Sequence, residues 1–187
     1  MKGMRNPRMV KKMNAKNSSR MTTLKADITT LKLDAIVNAA NETLVGGGGV
    51  DGAIHSAAGP ELLEACKKIG GCLTGEARIT PGFRLPSRFV IHTVGPVWHG
   101  GNQSEPELLA SCYRNSLALA RQHQVRSIGF SSISTGVYRY PKNEAARIAI
   151  REVKHFLEND SKLEIVHFVC FSKTDREIYQ EILELDI

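Results

Sequence analysis

Residues 34–41, Asp-Ala-Ile-Val-Asn-Ala-Ala-Asn, form an apolar run that ends on two carboxamides, Asn38 and Asn41. Four consecutive glycines, residues 46–49, come next and lead into Val50-Asp51-Gly52-Ala53-Ile54-His55. A glycine run is entropically costly. What it offers is unhindered backbone N–H groups and close approach, the equipment of a phosphate cradle at a helix N-terminus, with a diphosphate as the natural guest. Asp51 falls on the first turn of that helix, with His55 one turn later on the same face. An aspartate at a helix start commonly caps it or complements its dipole, and a lone helical histidine commonly has a structural role. Spacing alone leaves both readings open at both positions.

Residues 47–52 also match G-x-G-x-x-G, the dinucleotide-binding fingerprint. The match is poor, because in that fold the glycines follow the strand directly and an acid lies about 20 residues further on at a second strand end. Here residues 41–45 intervene and the later acids fall in a helix. A second loop, Ser132-Ile133-Ser134-Thr135-Gly136-Val137-Tyr138, offers hydroxyls, amides around a glycine, and an aromatic. Two such loops at strand ends could grip a diphosphate from both sides. Taken alone, the second is equally an ordinary strand-to-helix turn.

These loops need strands and helices to aim them. β-rich runs at 22–26, 35–38, 76–80, 88–94, 126–132 and 164–171 alternate with helical patterns at 50–58, 61–69, 105–122, 142–158 and 175–185. That alternation predicts an α/β layered domain. Continuous apolar runs such as Phe89-Val90-Ile91 suit strands covered on both faces. Side chains beyond the carboxyl ends of such strands face the usual ligand crevice, which places Asn38 and Asn41 near a ligand. Pro60 and Pro141 sit where a helix can begin.

With 187 residues, 42% of them hydrophobic, the chain suits one well-buried domain. No apolar run approaches the roughly 20 residues of a membrane span, and no signal-peptide pattern opens the chain, so a cytoplasmic protein is expected. Cys66, Cys72, Cys112 and Cys170 form no C-x-x-C pair and read as buried reduced thiols.

The net charge of +6 is unevenly placed. Residues 1–20 carry Lys2, Arg5, Arg8, Lys11, Lys12, Lys16 and Arg20 without an acid, leaving the body with 18 basic against 19 acidic residues. All five methionines lie within the first 21 residues. Residues 1–20 are therefore expected to be a basic disordered extension, with the domain spanning 21–187. The extension reads as a stretch upstream of a start at Met21, a targeting peptide, or an arm that touches phosphates.

Lys25-Ala26-Asp27-Ile28-Thr29, the Asn38–Asn41 strand end, residues 46–55, His92-Thr93-Val94-Gly95-Pro96 and residues 132–141 together closely resemble macro domains of the MacroD type, a family that includes bacterial O-acetyl-ADP-ribose deacetylases. The resemblance runs from about residue 22 to the C-terminus. It implies a three-layer α/β/α sandwich whose central sheet of about six strands is mixed but mostly parallel. It also assigns roles. Asp27, helped by the Ile28 backbone, would take the adenine amine. Gly47, Gly48, Gly49 and Val50, with Ser134, Thr135, Gly136 and Val137, would bind the diphosphate. Asn38, Asn41 and Asp51 would surround the distal ribose, with Tyr138 packed on it.

Asp51 and Asn41 would then position or activate a water without metal or cofactor, and His55 would support the loop. The implied partners are ADP-ribose, its esters and mono-ADP-ribosylated proteins, served by a monomer, with nucleic acid reached only through the extension. Two residues depart from the family pattern, Ala26 and Arg139, each standing where glycine is usual. A cation at Arg139 could tighten binding or narrow access for protein substrates. The competing readings are a module that binds ADP-ribosyl groups without cleaving them and an RNA-associated regulator that uses the basic extension.

Overall fold

The computed structural model describes residues 19–185. Six strands, β1 (Met21–Lys25), β2 (Ala35–Ala39), β3 (Ala77–Pro81), β4 (Phe89–Thr93), β5 (Ser127–Phe130) and β6 (Ile165–Cys170), form one sheet in the order β1-β6-β5-β2-β4-β3. Every pairing is parallel except β3 with β4. Five α-helices complete the fold: α1 (Gly49–Ala58), α2 (Pro60–Ile69), α3 (Glu105–Gln122), α4 (Lys142–Glu158) and α5 (Lys173–Leu185). A short 3-10 turn, Ile28–Thr30, follows β1. The expected elements all form, and their ends agree with the expectation to within two residues.

Two apolar cores lie on the two faces of the sheet, which makes the three-layer α/β/α sandwich that the sequence implied. Ile36 and Val90 pack with Ile54 of α1 and Leu62 and Cys66 of α2. Val37, Ile91, Phe130 and Phe168 pack with Tyr113 of α3, Ile150 and Val153 of α4 and Tyr179 of α5. Successive strand residues face opposite layers, so the central strands are apolar on both sides. The expected strand at 126–132 stops at Phe130, and Ser131 gives both its N–H (3.3 Å) and its hydroxyl (2.8 Å) to the Val37 carbonyl.

All four cysteines are free and buried. Burial pushes the thiols of Cys66, Cys112 and Cys170 up to about 11. They act as small core groups and not as nucleophiles. Among the described residues no helix is long and apolar enough to cross a membrane.

The expected disordered extension lies, for residues 1–18, outside the described residues. Arg20, counted with it on charge alone, is joined to the body. Its guanidinium donates to the carbonyls of Leu157 (2.6 Å), Asp160 (2.7 Å) and Leu163 (2.9 Å), where the chain leaves α4. A cation there satisfies carbonyls at a helix C-terminus.

Candidate active site

The carboxyl ends of β2 and β4 and the loop after β5 open onto a cavity of about 260 Å³. Asn41, Gly47, Gly48, Gly49, Val50 and Asp51 form one wall, and Gly95, Ser132, Ser134, Gly136, Val137 and Tyr138 the other. A wider depression of about 380 Å³ between β1 and α5 begins at Met21, the amino end of its strand. It gathers none of the candidate residues, and ligands of such sheets sit at the carboxyl ends.

The first wall is an open helix N-terminus. The α1 N-cap is Gly48, which has no side chain to close the helix, so the first amides stay unpaired and the dipole's positive end meets the cavity. Gly49 takes φ +60°, a region that other residues rarely enter, and a side chain there would meet nothing within 4 Å. Gly47 is glycine for another reason. A Cβ would lie 3.1 Å from Asp51 Oδ2 and 3.2 Å from Asn41 Nδ2, so these two groups converge on the same small space.

Opposite stands the loop after β5. Ser134 is left-handed (φ 64°), and Tyr140 N–H closes the loop onto the Ser134 carbonyl at 3.0 Å. Among the described residues no acceptor meets the N–H groups of Thr135, Gly136 and Val137. Ser134 Oγ is buried without a partner. The two walls therefore face each other with free donors, which is what an anion requires. Arg139 is exposed and left-handed (φ 57°), a conformation that glycine adopts without cost.

The loop is braced from behind. Trp98 donates its backbone N–H to the Tyr138 carbonyl at 2.9 Å and packs its ring on Tyr140 at 4.6 Å. Buried Glu105 gathers the backbone N–H groups of His99, Gly101 and Gln103. Burial pushes its carboxyl up, but those hydrogen bonds win and hold it below the usual range.

Asp51 is 4% exposed. Its Oδ1 accepts from Asn38 Nδ2 at 2.6 Å, while Oδ2 has no partner. His55 Nε2 stands 3.6 Å from Oδ1, and the His55 ring supports Gly46, whose Cβ position lies 3.5 Å from it. Asn38, expected beside the distal ribose, is wholly buried and lies one layer beneath the cavity. The cause is strand parity, which points residue 38 the same way as Ile36, into the layer under α1 and α2. Asn41, beyond the strand end, keeps its place in the wall. It shapes the loop by donating to the Gly46 carbonyl (2.8 Å) and accepting from Thr43 Oγ1 (2.7 Å) and Leu44 N–H (3.1 Å).

Asp27 and Ile28 lie outside this cavity's lining, where β1 ends. Asp27 Oδ1 accepts from Thr29 N–H (2.9 Å) and Oγ1 (2.7 Å), which fixes the carboxylate on the surface. Ala26 N–H donates to the Cys170 carbonyl, so the ends of β1 and β6 run side by side. Phe171, the next residue, is 92% exposed. Sequence reasoning passed over Phe171, although an apolar strand ending on an aromatic at the ligand side of the sheet was a usable signal.

His55, Cys66 and His92 bring metal-ligand atoms within 4.8 Å of one another. Two of the three are already engaged, while His55 Nε2 is buried without a hydrogen-bond partner. His92 Nε2 lies 3.0 Å from Thr80 Oγ1, and an ion would have to take the proton of a buried thiol. His92 and Cys66 belong to a buried polar layer under Asp51.

The sequence profile of the Macro domain matches residues 37–149, more than half of the chain. The chain belongs to the macro domain family. The macro domain is 66% identical over 160 residues to a macro domain-containing protein of Chlorobaculum tepidum, covering 86% of this chain and 93% of that one. It is 58% identical over 161 residues to a Klebsiella pneumoniae protein named O-acetyl-ADP-ribose deacetylase, covering 84% and 92%. Among solved structures, it resembles the Oceanobacillus iheyensis macrodomain with ADP at TM-score 0.84 and 51% identity, covering 87% and 89% of the chains. It resembles the Trypanosoma brucei macrodomain in complex with ADP-ribose at TM-score 0.82 and 48% identity, covering 87% and 68%.

Proposed function

We propose that this macro domain hydrolyses esters of ADP-ribose, releasing acetate from O-acetyl-ADP-ribose and freeing Asp or Glu side chains of proteins from mono-ADP-ribose. One observation carries the reading: a buried carboxylate oxygen, Asp51 Oδ2, stands without a partner in the same cavity as an uncapped helix N-terminus. The name of the Klebsiella pneumoniae relative agrees with its deacetylase part, and the Trypanosoma brucei complex with its ligand.

The diphosphate lies across the amides of residues 48–50 and 134–137, where the α1 dipole favours its charge. Asp27 meets the adenine amine with its outer oxygen, and the exposed Phe171 ring offers the base a stacking face. The distal ribose then rests between Tyr138 and the Asn41–Asp51 pair. Asp51 Oδ2 holds a water against the ester carbonyl. The water oxygen bonds to the acyl carbon, the acyl–ribose C–O bond breaks, one water proton passes to the ribose oxygen and the other is released to solvent, giving acetate and ADP-ribose. The residues supply position and charge, which suffices for a bond this labile.

The test is acetate release from O-acetyl-ADP-ribose by the purified full chain, with an ADP-ribosyl-Glu peptide as the second substrate. Binding of ADP-ribose without release from either would identify a reader module.

A further inference from the structure

Beneath Asp51 runs a chain of buried polar groups that the proposed reaction does not itself touch. Asn38 on β2 and His92 on β4 are register partners, so their side chains leave the sheet on one face, and both are wholly buried. The Asn38 carboxamide has two hydrogens on Nδ2. One goes to Asp51 Oδ1 at 2.6 Å, and the other faces His92 Nδ1 at 3.2 Å. The reverse amide orientation would aim Oδ1 at a carboxylate, so the direction is fixed. Asn38 Oδ1 has no partner, which leaves these two donated bonds alone to set the amide's rotation.

A ring nitrogen that accepts a hydrogen bond must present a lone pair. His92 is then neutral with its proton on Nε2. Thr80 Oγ1, from β3, sits 3.0 Å from Nε2 and accepts the hydrogen bond from that N–H. The remaining neighbours are Cys66 Sγ of α2 at 3.8 Å and the His55 ring of α1, 6.2 Å away between centroids. The Cys66 thiol stays protonated, and Asp51 is screened from His92 by the Asn38 amide, so nothing in contact with the ring favours its cation. Desolvation, reinforced by His55, holds its pKa down to about 3.

We propose that His92 is a positioning residue: locked as the Nε2–H tautomer between Thr80 and Asn38, it orients the Asn38 amide and thereby turns Asp51 Oδ2 into the cavity. The inference rests on the reading of Asp51 as the group that holds the water. It reaches two bonds beyond that group, to a side chain that cannot touch substrate.

The first experiment needs no turnover. Two-bond proton–nitrogen correlation on histidine-labelled full chain, with His92→Asn identifying the resonance, is expected to show His92 neutral and protonated on Nε2 from pH 5 to 9. A cationic ring at pH 6, or a proton on Nδ1, overturns the proposal even in an active enzyme. The second is kinetic. His92→Phe keeps the bulk but removes the acceptor, and should lower kcat about tenfold or more with KM within about threefold, the scale of a misplaced catalytic group. His92→Asn places an oxygen near the lost Nδ1 and should recover most of the loss. Wild-type kcat in folded His92→Phe overturns the proposal. If His92→Phe does not fold, the imidazole spectrum still decides. If wild-type protein releases no acetate while the spectrum holds, the hydrolase reading has failed and the tautomer assignment stands.

Discussion

Asn38 Nδ2 lies 2.6 Å from Asp51 Oδ1, joining the carboxyl end of a central strand to the first turn of the helix that opens the cavity. A charged acceptor makes this a strong hydrogen bond, and its burial makes it expensive to break. Asn38→Leu, close in size, should cost about 2–3 kcal/mol in chemical denaturation. It should also slow acetate release, because Asp51 loses the contact that aims it. Stability and turnover both at wild-type level would show that the bond aims nothing.

Removing Asp51 itself is the direct test of chemistry. Asp51→Ala and Asn41→Ala should each lower turnover by roughly 10² or more, the scale for losing a group that positions or activates water. ADP-ribose binding, followed by calorimetry, should survive in Asp51→Ala because the amide cradle is untouched.

Just past the end of β6, Phe171 is an exposed ring. Phe171→Ala should weaken ADP-ribose binding by about 1–3 kcal/mol, the usual worth of base stacking. Affinity for ribose 5-phosphate, which lacks the base, should not change.

The pH dependence of stability carries a sign that His92 fixes. Its folded pKa of about 3 lies below the unfolded value of 6.5, so the unfolded chain binds more protons between them. The contribution is therefore complete above pH 6.5 and is lost as pH falls toward 3, with a slope of about 1.4 kcal/mol per pH unit. Denaturation at a series of pH values should show this slope in wild type and a shallower one in His92→Phe. Below about pH 4 the depressed carboxylates of Asp34, Glu105 and Asp160 add to the loss as they protonate.

Arg20 is joined to the described fold by three hydrogen bonds. Deleting residues 1–18 should leave ADP-ribose binding and turnover intact. Arg20→Ala should lower stability by about 1–3 kcal/mol, since three carbonyls lose a charged donor. Equal stability in the two variants would show that the contact contributes nothing.

Much of this was legible in the chain itself. Apolar runs at strand length and apolar spacing at helix period set the six strands and five helices, because burial demands those periods wherever the fold puts them. The glycine loop, Asp51 and the loop after β5 were legible too, since each is a local device whose amides are freed by its own residues. Strand parity could even have separated Asn38 from Asn41, as residue 38 shares its face with Ile36 and residue 41 lies past the strand end.

Only the tertiary structure decided which distant groups meet. Asn38 meets His92 through the β2–β4 register, and Thr80 reaches the same ring through the antiparallel β3–β4 pair. The end of β6, which Phe171 follows, comes beside the end of β1, which Ala26 and Asp27 follow, because the two strands pair in parallel. Register across long loops is set by the packing of both sheet faces at once, and no local pattern of residues carries it. The residues of the cavity wall were thus written in the sequence, while the layer that aims Asp51 was assembled by the sheet.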